Sequence, residues 1–160
     1  MKYREEIRDL FEVNNELFGS QPYCLAHCIS ADFGMFGGIV VGFNERWNMK
    51  DILKSSYVNV QKDFRVSEGL VIPVEVIDHG ISTLVYNLIT KETVNSLPTY
   101  ENIVKTLEIL KSIMISNGNT KLAIPKIGCG IDKLEWEVVR ILITETFADT
   151  NIEILVCIKE

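Results

Sequence analysis

The chain has 160 residues, 47% of them hydrophobic and 24% charged, with a formal net charge of −6. That length suits a single domain over 1–160 with a substantial core, and the composition is that of a soluble globular protein. The acidic balance argues against broad electrostatic binding to nucleic acid, though not against a local basic pocket or a single nucleotide ligand. The opening MKYREEIRDLF (Met1–Phe11) is mixed in charge and lacks the apolar segment of a signal peptide. No apolar run approaches the roughly 20 residues that span a bilayer. An intracellular, cytoplasmic protein with no membrane partner is expected.

YCLAHCIS (Tyr23–Ser30) reads as a short buried strand between Pro22 and a polar, glycine-bearing turn. GGIVVGFNERW follows as a helix with glycines at its entrance. GLVIPVEVI and STLVYNLIT are β-branched apolar runs separated by the turn signal DHG, which predicts a hairpin at the sheet edge. In PTYENIVKTLEILKSIMISNG, apolar residues at Tyr100, Ile103, Val104, Leu107, Leu110 and Met114 have helical spacing, closed by Gly118. KLAIPKI is a strand, LEWEVVRILITETF a helix and IEILVCIK a final strand. Alternating helices and nearly continuous apolar strands predict an α/β fold, a three-layer α/β/α sandwich with its sheet covered on both faces.

In such sheets ligands sit beyond the carboxyl ends of strands. Two glycine-bearing loops fall there, ADFGMFGG (31–38) and GCG (128–130). Glycines let something approach the backbone closely, and helix entrances attract anions, so the pair is a candidate phosphate cradle. Asp132 stands three residues before Glu135, a spacing that also fits an N-cap of the last helix with Glu135 closing a capping box, a role compatible with a chemical one.

Cys24, Cys28, Cys129 and Cys157 show no disulfide framework and read as free thiols in a reducing compartment. Strand alternation sends Cys24 and Cys28 to one face and His27 to the other, so no metal site is expected from them. His79 belongs to a turn. Cys129, between glycines near a helix entrance, has the setting of a reactive thiol, but no histidine nearby in sequence would activate it. It is read as a small residue beside ligand. Trp47 and Trp136 lie on helical patterns and read as packing anchors.

Four segments in order, RDLF, LAHCISADFGMFGGI, LITK followed by PTYEN, and AIPKIGCGIDKLEW, resemble the macrodomains, the ADP-ribose-binding α/β/α fold. The resemblance is to the terminal ADP-ribose protein glycohydrolase branch and runs over nearly the whole chain. It implies a mixed central sheet and roles position by position. Asp9 and Leu10 would face adenine, the Asp9 carboxylate accepting from its exocyclic amine. Ser30, Gly38, Ile39 and Val40 would line the first loop beside the diphosphate and distal ribose. Lys126, Ile127, Gly128, Cys129, Gly130 and Ile131 would form the second. Lys91 would be the nucleophile and Asp132 its acid/base partner. The chain departs from the family at Phe36, where a glycine is usual; a ring there would narrow the pocket or move the loop.

The implied activity is removal of ester-linked ADP-ribose from acidic side chains through a lysyl–ADP-ribose intermediate, with deacylation of O-acyl-ADP-ribose a related activity. No cofactor or metal is required. ADP-ribose and ADP-ribosylated protein are the expected partners, and a monomer is expected. Two alternatives stand beside this reading: a non-catalytic ADP-ribose-binding module, and a hydrolase for ADP-ribosylated nucleic acid or ADP-ribose 1″-phosphate.

Overall fold

A computed structural model of the protein describes residues 1–15, 17, 20–35, 37–57, 60–65 and 68–159, and only the backbone of Gln61. In chain order these form β1 (Lys2–Ile7), a 3₁₀ turn (Leu10–Glu12), β2 (Cys24–Ser30), α1 (Val40–Trp47), α2 (Met49–Ser56), α3 (Val60–Asp63), β3 (Leu70–Asp78), β4 (Ile81–Lys91), α4 (Tyr100–Asn117), β5 (Lys121–Ile124), α5 (Trp136–Phe147) and β6 (Glu153–Ile158). The sheet order is β1-β6-β5-β2-β4-β3. Neighbouring strands run parallel except β3 and β4, which pair antiparallel, so the sheet is mixed as expected.

Strand alternation builds two cores. Leu25, Ile29, Val85, Ile89, Ala123 and Leu155 face Val40 and Phe43 of α1 and Met49 and Leu53 of α2. Ala26, Tyr86, Leu88, Leu122, Ile154 and Val156 face Ile103, Leu107 and Leu110 of α4 and Val139, Ile143 and Phe147 of α5. Each such aliphatic side chain, withdrawn from water, contributes about 2 kcal/mol before entropy is counted. The layers are therefore helix, sheet, helix. Thr99 starts α4 by accepting the Asn102 N–H at 3.1 Å, and Gly118, at φ +71°, ends it. Trp47 and Trp136 pack against the two cores as anticipated.

The hairpin of β3 and β4 closes through His79 and Gly80, both at positive φ (50° and 78°), the geometry that matches strand twist in a tight turn. Pro73, Glu75 and Ile77 leave the outer face of β3 exposed, consistent with its place at the sheet edge.

Two features were not legible in the sequence. KYREEI looks like a solvated segment but is the other edge strand, β1. Its charged residues suit an edge, and Glu5, on the face toward α5, is held by Arg140 at 2.6 and 3.1 Å and by the Tyr3 hydroxyl at 2.7 Å. The short helix α2 buries just Met49 and Leu53 and is separated from α1 by Asn48 at φ +51°.

Candidate active site

Five strands, β1, β6, β5, β2 and β4, run parallel, so their carboxyl ends share one edge of the sheet. Along that edge, Asp9 follows β1, the 125–135 segment follows β5, the 31–39 segment follows β2, and Lys91 ends β4. At about 4.8 Å per strand, four spacings separate β1 from β4 by about 19 Å. Residues scattered over the sequence thus form one row, with the two glycine loops adjacent at its middle.

Lys91 is the last residue of β4, and its side chain is 10% exposed. The pairing of β2 with β4 shifts from Ile29↔Ile89 to Ser30↔Lys91, leaving Thr90 as the extra residue of a bulge. Bulges re-aim side chains next to active sites. The Lys91 ammonium donates to Asp132 Oδ1 at 2.6 Å and to the Val94 carbonyl at 3.2 Å. The Asp132 side chain is 13% exposed, so the ion pair is largely shielded from water. Such pairs are costly to desolvate and costly to break.

Asp132 does not cap the last helix, contrary to the capping-box spacing. Glu135 occupies the N-cap position and makes no side-chain cap bond. A turn intervenes: Lys133 N–H donates to Gly130 O at 3.2 Å, Lys133 has φ +60°, and Leu134 N–H donates to Gly128 O at 2.8 Å. The helix therefore starts at Trp136, four residues beyond Asp132, and the carboxylate is turned toward Lys91 instead.

The first loop is organised by Asp32. Its Oδ1 accepts the Ser30 hydroxyl at 2.5 Å and Gly34 N–H at 3.1 Å, and its Oδ2 accepts Val94 N–H at 3.1 Å. Burial pushes the Asp32 carboxyl up, but the hydrogen bonds from Ser30, Val94 and Gly34 together outweigh it and hold the group below its ordinary value. Phe33 and Met35 both adopt positive φ (52° and 54°) with buried side chains, a costly backbone sustained by the packing around it. Gly38 is at φ +71°, and Ile39, the N-cap of α1, makes no side-chain cap bond; the Val41 and Gly42 N–H groups donate instead to the Gly38 and Ile39 carbonyls at 3.3 and 3.0 Å. Val40 is buried in the core, and Phe36 lies outside the described residues.

In the second loop, Gly128 has φ +73°, and a Cβ there would stand 2.9 Å from Leu134 Cδ1. Ile127 is buried and Lys126 exposed, its ammonium 6.0 Å from the Trp136 ring centre. Gly130 faces open space. The two loops touch: Ile131, 60% exposed, lays its Cδ1 2.8 Å from the position a Cβ on Gly37 would take. Glycine at 37 is what lets the loops meet. At the far end of the row, Asp9 Oδ1 accepts Phe11 N–H at 2.9 Å and its carboxylate is exposed, whereas Leu10 turns its side chain into the core.

Burial pushes Cys129 up, which disfavours a thiolate there. Burial and the nearby Asp132 carboxylate push Cys28 up to about 12. His27 faces the core opposite Cys28, stacked 3.8 Å from Phe43, with Nε2 2.7 Å from Asn87 Oδ1. No group of three or more His, Cys, Asp and Glu side chains among the described residues could hold a metal. A cleft of about 340 Å³, lined among others by Tyr23, Glu75, Ser82 and Lys121, lies at the opposite edge of the sheet from Lys91. Sequence reasoning missed Asp32 and Val94. The Asp32-Phe33-Gly34 spacing, typical of an acid accepting the backbone N–H two residues on, was the available signal for the first; a backbone carbonyl has none.

No family-wide sequence profile matches the chain. It is 41% identical over 133 residues to ADP-ribose glycohydrolase OARD1 of Homo sapiens, covering 82% of this chain and 79% of that protein. To ADP-ribose glycohydrolase OARD1 of Bos taurus it is 39% identical over 146 residues, covering 90% and 88%. The macrodomain of Mycobacterium tuberculosis DarG shares the fold at TM-score 0.77 and 16% identity, covering 99% of this chain and 97% of that one. Thermosipho africanus DarTG in complex with ADP-ribose does so at TM-score 0.76 and 15% identity, covering 98% of this chain and 41% of that one.

Proposed function

The chain belongs to the macrodomain family, in its ADP-ribose glycohydrolase branch, and from that premise we propose that it is a hydrolase releasing ADP-ribose from ester-linked acceptors, with Lys91 as nucleophile. The observation that carries the lysine mechanism is the shielded Lys91–Asp132 pair, 2.6 Å long, at the edge where five strands deliver their loops.

Bound ADP-ribose lies along the row. Adenine sits near Asp9, the diphosphate between the two glycine loops and the α1 entrance, and the distal ribose beside Lys91. Helix-entrance amides and exposed loop N–H groups hold the phosphates. Ser30, Gly38, Ile39 and Val40 contribute the first wall, and Lys126, Ile127, Gly128, Cys129, Gly130 and Ile131 the second. Leu10, its side chain in the core, offers its backbone.

As ligand excludes water, the charged pair loses solvation, which favours passing a proton from the Lys91 ammonium to Asp132. The neutral amine then attacks C1″ of the distal ribose. A C1″–N bond forms, the C1″–O bond breaks, and its electron pair leaves with the acceptor carboxylate. Water next attacks C1″ of the adduct as the C1″–N bond breaks and returns its electron pair to lysine; the water proton passes to that nitrogen, and Asp132 gives its proton to the released carboxylate. The sum is ester plus water giving carboxylic acid and ADP-ribose. Holding C1″ beside the amine makes the attack effectively intramolecular. The net charge of −6 favours an ADP-ribosylated protein over nucleic acid as the substrate.

The test is a time course of ADP-ribose release from a glutamate-ADP-ribosylated protein, comparing wild type with Lys91→Ala, after calorimetry has shown that both bind free ADP-ribose. Release by wild type alone is expected. Binding without release by either would make the chain a binding module, and equal release by both would remove Lys91 from the mechanism.

A further inference from the structure

Lys91 Nζ carries three N–H positions. One points to Asp132 Oδ1 and a second to the Val94 carbonyl, its two acceptors among the described residues, which leaves a third for a ligand. What holds the Val94 carbonyl therefore sets where the amine points. Val94 lies in the loop after β4, and its own N–H is fixed from the opposite side by Asp32 Oδ2, across 62 residues of sequence. Asp32 is itself locked by the Ser30 hydroxyl and Gly34 N–H on its other oxygen. Packing reinforces the same residue: a Cβ on Gly34 would stand 2.0 Å from Val94 Cγ1, so the Val94 side chain already fills the space beside that glycine. Beyond it, Ser96 N–H donates to the Thr93 carbonyl at 3.1 Å, and the Thr93 and Ser96 hydroxyls lie 2.9 Å apart, closing the loop as a turn.

We infer that Asp32 is a positioning residue for Lys91, acting through Val94, whose N–H it anchors and whose carbonyl, across the Cα in the next peptide, orients the attacking amine. The inference rests on the reading of Lys91 as nucleophile. Asp32 touches no reacting atom. It ties the first loop to the end of β4, so the wall that receives the diphosphate and the lysine that attacks the ribose move as one body. A carboxylate suits this task because it accepts at both oxygens and donates at neither. In Asp32→Asn, either orientation of the amide sets an NH₂ group against a backbone N–H that now bonds to oxygen.

The experiment is steady-state release from the ADP-ribosylated protein by full-length wild type and Asp32→Asn, with calorimetric binding of free ADP-ribose and hydrogen exchange at the Val94 amide. The expected result is a fall in kcat of about 10- to 100-fold, the cost of a small misplacement of a reacting group. KM and the Kd for ADP-ribose should stay within about threefold, and the Val94 amide should exchange faster. Unchanged kcat would overturn the inference, as would a loss of ADP-ribose binding in step with turnover, which would place Asp32 in ligand binding. Should Asp32→Asn fail to fold, Gly34→Ala displaces Val94 while keeping the carboxylate and must show the same split; normal kcat there overturns the inference equally. If wild type releases nothing, the proposed function fails on its own account. The Val94 exchange rate then still decides the clamp, since an unchanged rate in the variant would refute it.

Discussion

Two lysine–aspartate pairs of almost equal length sit at opposite extremes of this molecule. Lys91 and Asp132 are 2.6 Å apart with side chains 10% and 13% exposed. Lys111 and Asp149, between α4 and the end of α5, are 2.7 Å apart, but their side chains are 25% and 75% exposed. The direct hydrogen bond from Lys111 holds the Asp149 carboxyl below its ordinary value, yet water competes for the carboxylate and salt screens the pair. The contact is nearly the same; the surroundings differ. The inner pair has a second acceptor in the Val94 carbonyl, two loops beside it and an edge of five strand ends around it. Distance alone does not mark a reactive lysine. Shielding, a third partner and room for a ligand do.

The comparison is broken most sharply by removing each lysine. Lys91→Ala should cut release by about a thousandfold or more, as loss of a nucleophile does, whereas Lys111→Ala should leave the rate within about twofold. A matching loss in both would mean that the assay reads folding rather than chemistry.

The aspartates come next. Asp132→Ala should slow turnover on the order of a hundredfold, the usual scale for a proton-transfer partner. It should also lower stability by about 3 kcal/mol, because a shielded ammonium is left without its counter-ion. Asp149→Ala should leave the urea midpoint where it is. An Asp132 variant with wild-type turnover would sever the pair from the reaction.

Burial can be isolated from pairing at His27, which has no ionic partner among the described residues. Burial pushes it down from 6.5 to about 4 in the folded protein, and its bond to Asn87 offsets this in part. Between those values the unfolded chain binds the extra proton, so stability should fall as pH falls from about 6.5 to about 4 and level off below. The loss is at most about 3 kcal/mol. Urea midpoints at pH 7.5 and 4.5 read it directly. A His27→Gln variant should be flatter across that window, and equal slopes would place the acid sensitivity elsewhere.

The smallest effect concerns how the loops meet. Gly37→Ala adds a methyl 2.8 Å from the Ile131 tip, a contact that a flexible side chain can partly escape. Calorimetry should show ADP-ribose binding weakened by only about threefold, with kcat retained once saturated. A large fall in kcat would show instead that the loop contact aligns the reacting groups.

The layered fold was written in the periodicity of the chain. Ile103, Leu107, Leu110 and Met114 had to share a helical face, and Leu25 and Ile29 had to oppose Cys24 and Ala26 across a strand, because residue spacing and helix or strand period are local geometry. The glycine loops were legible for the same reason, since a missing side chain declares itself wherever it stands. KYREEI was not, because an edge strand with one neighbour needs no apolar run, and its inward Glu5 is satisfied by Arg140, 135 residues away. Asp132 shows the limit of local reading most plainly. Its spacing to Glu135 satisfied a capping rule, but the Gly128–Lys133 turn set the helix start elsewhere and gave the carboxylate to a lysine 41 residues distant. Patterns along a chain determine which elements form and which faces they bury. Which side chains meet at the ends of those elements depends on strand order, a bulge at Thr90 and the closure of separate loops, and those are settled only when the sheet assembles.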